Sequence, residues 1–302
     1  LSLFFLTFKY NPDINMDICV NDTAIDGLLI YKGKVRDVYK KRFHYLIIDT
    51  TDRVSSFNKH VGHIPGKGIL LTKLCEYFFN KTHHIIPNHL LSTYESRMLV
   101  VKCNPFMVEI IVRGYITGNT DTSLWVNYNN GCRNYCGIEL PNGLVKNQKL
   151  DTPIITPTTK GDVDYPISKE GIVSENLMTR GDCDYVFRKA LELFKLGQEI
   201  ADRAGFILVD TKYEFGKSVI DNEIFLIDEV HTCDSSRYWI KDTYDDKFSK
   251  GLEPDKIDKD IVRDYVKSVC DPYKDPIPEL PENIIKKAKD NYQFFYDKIS
   301  NC

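Results

Sequence analysis

Residues 207–232 read Ile207-Leu-Val-Asp-Thr-Lys-Tyr-Glu-Phe-Gly216, then Lys217-Ser-Val-Ile-Asp-Asn222, then Glu223-Ile-Phe-Leu-Ile-Asp-Glu-Val-His-Thr232. Two β-rich runs flank a loop holding Gly216, Lys217, Ser218, Asp221 and Asn222, which is a hairpin signal. Charged residues stand inside the apolar runs, where charge is costly unless it is paired or metal-bound. Alternate residues of a strand share a face, so Asp210, Lys212 and Glu214 point the same way. A loop folded symmetrically about Asp221 sets Glu214 opposite Asp228 and Lys212 opposite Val230. Like charges facing across a ladder repel, and a hard divalent cation such as Mg2+ relieves that repulsion. The competing reading is an ordinary exposed hairpin with a charged wet face, and a bulge would shift the register.

Upstream, Asp182 to Arg203 is an amphipathic helix with Val186, Ala190, Leu193, Phe194, Gly197 and Ile200 on its inner stripe. Downstream, Ser235, Ser236 and Arg237 can form a compact oxyanion site. Two helical patterns close the chain, Asp258 to Cys270 and Pro281 to Ser300, the second with Pro281 at its start.

Toward the N-terminus, Leu28 to Tyr39 reads as strand, turn, strand around Lys32-Gly-Lys-Val-Arg36. A glycine among Lys32, Lys34 and Arg36 suits a hairpin over polyphosphate, and a solvated turn is the alternative. No Walker pattern accompanies it. Ile64-Pro-Gly-Lys-Gly68 is a rigid turn before a helix over 69–80, whose N-terminus at Lys67 and Gly68 favours anions. Met98 to Lys102 and Met107 to Val112 are strand runs. The second leads into Arg113-Gly-Tyr-Ile-Thr-Gly118, where Arg113 leaves the strand as an anion hook. His83, His84 and His89 lack a metal-site spacing and read as surface or packing residues. The irregular span 119–168 carries enough apolar residues to be ordered.

A chain of 302 residues with 42% apolar content holds one large domain or two lobes. Its net charge of -3 gives no sign of a nucleic-acid partner, and no stretch is fit to span a membrane. Nine cysteines at irregular spacing make no disulfide framework and read as reduced cytosolic thiols. The apolar run Leu1 to Leu6 is too short for a span and weak as a signal peptide. Met16 is an alternative start, and the fold is expected to need nothing before it.

Six stretches occur in order: Lys-Gly-Lys-Val-Arg-Asp-Val-Tyr, Ile-Pro-Gly-Lys-Gly, Val-Arg-Gly-Tyr-Ile-Thr-Gly, Pro-Thr-Thr-Lys, Val-Asp-Thr-Lys-Tyr-Glu-Phe-Gly and Ile-Asp-Glu-Val-His-Thr-Cys-Asp-Ser-Ser-Arg-Tyr-Trp. From about Ile30 to the C-terminus the chain closely resembles the phosphoribosylaminoimidazole-succinocarboxamide (SAICAR) synthase family. Thr-Asp-Thr-Ser-Leu-Trp and Gly-Leu-Val-Lys-Asn-Gln-Lys-Leu match its longer form. The resemblance implies an α+β, two-lobed fold: an ATP-grasping β-rich lobe over 30–106 and a larger α/β lobe for substrate and metal over 107–302. Residues 1–29 form an extension without an assigned role.

The resemblance implies an ATP-dependent ligase that joins L-aspartate to carboxyaminoimidazole ribonucleotide in purine synthesis through an acyl phosphate, in the cytoplasm. Lys32, Gly33, Lys34, Val35, Arg36 and Glu109 would serve ATP, with Lys34 and Arg36 on its phosphates and Glu109 near the nucleoside. Glu214 and Asp228 would hold Mg2+, and Lys212 would stabilise a developing oxyanion. Arg113, Ser235, Ser236 and Arg237 would grip the ribonucleotide phosphate, with Lys67, Thr117, Asn119, Asp210 and Asp234 as further substrate contacts. Asn119 stands where many relatives have Ser, and Cys233 where most have Pro, so that turn loses a fixed φ. Neither change removes a charge. Two rivals are a different ATP-dependent phosphotransferase, against which the missing His-Arg-Asp loop speaks, and a non-enzymatic nucleotide binder, against which intact Glu214, Asp228, Lys212 and Arg237 speak. Oligomeric state is not legible in the sequence.

Overall fold

The apolar run around residue 210 forms the 13-residue strand Phe206–Ser218 in the computed structural model, which describes residues 25, 27–57, 59–161, 163–257 and 260–302. The extension before residue 25, with the Leu1 run and Met16, lies outside the described residues. The strand is paired along both edges. Its first half lies antiparallel to Val108–Tyr115 and to Ser236–Ile240, and its second half to Cys103–Pro105 and Ile224–Ile227. Lys149–Ile155 and Thr158–Thr159 extend this seven-stranded sheet beyond Val108–Tyr115. A central strand is covered on both faces, so Leu208, Val209, Tyr213 and Phe215 are all buried.

The helix Arg180–Arg203 packs on this sheet, and the Thr179 hydroxyl caps it by accepting from Asp182 N. Its predicted stripe is the buried one. Gly197 allows the helix to close on the sheet: a Cβ there would lie 2.5 Å from His231 Cε1 and 2.8 Å from Leu208 Cδ2. The His231 ring cannot retreat easily, because Tyr213 OH and His231 Nε2 are 2.5 Å apart. Gly197→Ala is therefore expected to destabilise by ~1–3 kcal/mol through overpacking, despite the better helix propensity of alanine. A lower urea midpoint at an unchanged m-value would report it.

A second, five-stranded antiparallel sheet runs Leu29–Lys32, Arg36–Arg42, Tyr45–Thr50, Arg97–Val101, Leu90–Tyr94. Beside it lies the hairpin Arg53–Ser56/Lys59–His63. The helix Lys67–Thr82, predicted at 69–80, buries Leu71, Leu74 and Phe78. The C-terminal helix Glu282–Ser300 returns to pack on it. One hydrophobic core runs from Ile48 and Phe78 through Phe194 and Phe206 to Phe295, linking both sheets. The described residues of the span 119–168 are ordered: the helix Leu124–Asn129 and short strands enclose a second core of Ile116, Leu124, Tyr128, Tyr135, Leu140 and Leu150.

The structure departs from the sequence reading at the hairpin and at Arg113. The hairpin is one residue out of the expected register, with Glu214 opposite Ile227. Asn222 takes a left-handed φ of 63° and Ser218 N bonds Glu223 O, so the loop is not symmetric about Asp221. Arg113 does not leave its strand but stays in it, paired with Asp210 and Ile154. Pro281 precedes the last helix as its N-cap. None of the eight described cysteines is in a disulfide. His83 and His84 are exposed, whereas His89 is buried and its pKa is pushed down to about 3, chiefly by burial. Among the described residues no helix is long and apolar enough to cross a membrane.

Candidate active site

The register slip does not separate the two carboxylates. Ile227 ends its strand, and Asp228 turns back with a φ of 65°. That left-handed turn brings its Oδ2 to 3.9 Å from Lys212 Nζ. Lys212 also sits 2.5 Å from Glu214 Oε1 and 3.0 Å from Glu109 Oε1. The other Glu214 oxygen is bonded by Lys160. Arg36 closes the group, 3.1 Å from Asp228 Oδ1 and 2.6 Å from Glu229 Oε2.

Four carboxylates (Glu109, Glu214, Asp228, Glu229) thus face three cations (Arg36, Lys160, Lys212). Burial favours the neutral form of Glu214, yet Lys212 and Lys160 reverse this and hold its pKa down to about 2. At Asp228 the balance goes the other way. Burial, reinforced by Glu214 and Glu229, pushes its pKa up against the pull of Arg36 and Lys212. Lys212 stays charged despite burial because three carboxylates surround it. Asp228 is thus the carboxyl of the cluster pushed toward its neutral form, and its side chain is 26% exposed.

The basic hairpin stands beside this cluster because Arg36 begins its second strand. A Cβ on Gly33 would lie 2.6 Å from Arg36 O, so only glycine fits the turn. Arg53 fastens the tip: it donates to Gly33 O at 3.0 Å and grips both oxygens of Asp37, at 2.6 and 3.0 Å. Thr51 holds Val35 O at 2.6 Å. Lys32 and Lys34 are exposed. Arg36, expected on phosphate, is engaged within the protein. Its guanidinium points inward, where Asp228 and Glu229 require a counter-charge.

On the far side, Asp210 lies between Arg237 Nη1 at 2.9 Å and Arg113 Nη1 at 3.4 Å. Arg237 lines a cavity of about 150 Å³ with Asp210, Cys233, Asp234, Ser235, Ser236 and Arg263. Several expected substrate contacts are engaged within the protein. Arg113 is buried, with Nε on Thr156 Oγ1 at 2.7 Å and Nη2 on Thr122 O at 3.4 Å. The Thr117 hydroxyl donates to Asn147 Oδ1 at 2.6 Å. Lys67 is fully buried, 2.7 Å from Asp234 Oδ2. The amides of Gly66 and Gly68 at that helix start already bind an anion, the Asp52 carboxylate, at 3.0 and 2.9 Å. Asn119 is exposed and lines a larger neighbouring cavity of about 580 Å³ with Lys146 and Asp255.

A family model for SAICAR synthetase matches residues 29–280. The chain belongs to the SAICAR synthetase family. It is 49% identical over 272 residues to the chloroplastic phosphoribosylaminoimidazole-succinocarboxamide synthase of Arabidopsis thaliana, covering 89% of this chain and 66% of that protein. The synthase of Legionella pneumophila (strain Lens) is 45% identical over 288 residues, 94% of this chain and 92% of that one. The structure of SAICAR synthase from Saccharomyces cerevisiae complexed with SAICAR superposes with a TM-score of 0.81 at 30% identity, over 94% of this chain and 99% of that one. Membership makes the chain a carbon–nitrogen ligase of purine biosynthesis with the family's α+β fold.

In this SAICAR synthetase family member, sequence reasoning overlooked Lys160, Glu229, Asp52 and Tyr292, and reached Arg53 only as one of the basic residues of the 50s-to-60s loop that were candidates for aspartate. Two of these had a signal. Lys160 ends the Pro-Thr-Thr-Lys stretch, and Glu229 is a second acid beside Asp228 in an apolar run. Asp52 and Tyr292 sit in ordinary surroundings in the sequence, and only the contacts reveal them.

Proposed function

We propose that the chain joins L-aspartate to the carboxylate of carboxyaminoimidazole ribonucleotide at the expense of ATP. The substrate carboxylate oxygen attacks the γ-phosphorus, its bond to ADP breaks, and an acyl phosphate forms. The aspartate amine then attacks the acyl carbon, an amide forms, and inorganic phosphate leaves. The observation that carries this reading is the convergence of Glu214, Asp228 and Lys212 beside the basic hairpin.

Among the described residues no three acidic, His or Cys side chains group as a metal site. The pair Glu214 and Asp228, brought together around Lys212, suits Mg2+, which takes one or two carboxylates and fills its shell from phosphates and water. When bound there, Mg2+ would neutralise phosphate charge during transfer. The protein's own groups do the rest. Lys32 and Lys34 offer exposed cations at the glycine turn for the ATP phosphates. Lys212, kept charged by three carboxylates, would stabilise the developing oxyanion. Arg237 and Ser235 line the cavity that would take the ribonucleotide phosphate, and buried Arg113 positions Asp210 behind them. Nine irregularly spaced cysteines, of which none of the eight described is in a disulfide, suit a reducing compartment such as the cytoplasm.

The test is a phosphate-release assay with ATP, L-aspartate and the ribonucleotide, each omitted in turn. Release is expected only with all three present. ADP formed without aspartate and without matching free phosphate would mean a phosphotransferase, and ATP binding without turnover a nucleotide-binding protein.

A further inference from the structure

The C-terminal helix Glu282–Ser300 has no part in the proposed chemistry, yet it sends one polar contact toward the ribonucleotide side. Tyr292 is buried, and its hydroxyl donates to Asp234 Oδ1 at 2.7 Å. The other oxygen of the same carboxylate is 2.7 Å from Lys67 Nζ, at the start of the helix Lys67–Thr82. Lys67 Nζ lies 5.8 Å from the Tyr292 ring centroid and also donates to Arg53 O at 3.2 Å. Two helices distant in sequence therefore hold one carboxylate from two directions. That carboxylate belongs to the turn that carries Ser235 and Arg237.

The rest of the turn is tied from the opposite side. Asp234 N and Ser235 N both donate to Thr232 Oγ1 at 3.3 Å, and Thr232 in turn donates to Glu229. Ser236 N donates to Thr232 O at 2.9 Å. Ser235 O accepts from Lys212 N at 3.0 Å, which joins the turn to the strand carrying the catalytic lysine. All the Thr232 ties come from within the turn's own segment. Asp234 adds an anchor to two helices, beside the tie of Ser235 O to the strand Phe206–Ser218.

We propose that Tyr292 is a positioning residue for the ribonucleotide: with Lys67 it fixes Asp234 and so aims Ser235 and Arg237 into the 150 Å³ cavity. It touches no substrate. It keeps the turn in its binding-competent arrangement before substrate arrives, and a turn released from it lowers apparent affinity by the fraction of time it is competent. The inference rests on the proposed ribonucleotide reading of that cavity.

Tyr292→Phe removes only the hydroxyl and keeps the ring in the core. In steady-state assays it is expected to raise KM for the ribonucleotide by about tenfold, the effect of a lost hydrogen bond to a charged group. KM for ATP and kcat should stay within about twofold. Tyr296→Phe, on the same helix with its ring near Lys73, serves as control and should leave all three unchanged. A second readout does not depend on turnover: amide hydrogen exchange at residues 234–237 should accelerate in Tyr292→Phe and not in Tyr296→Phe. Wild-type protein without turnover would sink the proposed function, and the exchange comparison would still decide the clamp. Unchanged exchange, or an equal rise in KM for ATP and ribonucleotide, would overturn the positioning role.

Discussion

Glu214→Gln is expected to lower turnover by at least ~100-fold, the scale for removing one key electrostatic group at a reacting centre. The substitution keeps the shape and hydrogen-bonding reach of the side chain, so the strand Phe206–Ser218 should fold as before. What changes is charge. Glu214 is held ionised, with Lys212 on one oxygen and Lys160 on the other. Its loss leaves two ammonium groups facing a neutral amide and removes one of two proposed Mg2+ ligands. Asp228→Asn should act in the same direction, and both variants should need more Mg2+ for half-maximal rate. Near-wild-type kcat in both, with unaltered Mg2+ dependence, would sink the metal assignment.

The second large effect is on stability. Arg36→Met should cost ~3–5 kcal/mol, the penalty for stripping one partner from a buried ion pair. Asp228 and Glu229 both depend on this guanidinium, and Glu229 keeps its charge despite burial chiefly because of it. Calorimetry should show the melting temperature falling by roughly 10 °C. Combining Arg36→Met with Glu229→Gln should recover part of the loss, because one stranded charge is removed with its partner. A variant that melts like the wild type and shows only a raised KM for ATP would mean that Arg36 serves phosphate.

Arg36 and Lys67 share a lesson about basic residues in binding motifs. Each stands in a stretch whose composition points to anions, and each does meet an anion. In both cases the anion is a carboxylate of the protein, Asp228 with Glu229 or Asp234. A motif records that a cation is required at a position. It does not record whether the partner is substrate or a distant part of the chain.

Much was legible in the sequence because it depends on local pattern. The period of apolar residues marked the helix Arg180–Arg203 and its buried face. Paired β-rich runs marked the hairpin, and ordered motifs marked the family. Carboxylates inside apolar runs marked Glu214 and Asp228 as residues needing partners, since unpaired charge is too costly to bury. The partners themselves were decided by tertiary structure. Nothing local sets Arg36 against Asp228 and Glu229, more than 190 residues away, or brings Tyr292 to Asp234. The meeting of Glu214 and Asp228 survived a slipped register only because Asp228 adopts a left-handed backbone conformation after its strand ends. Pattern determines which surfaces must be buried and which charges must be answered. Which group answers each charge depends on how the sheets and helices pack, because ion pairing follows distance in space and not separation along the chain.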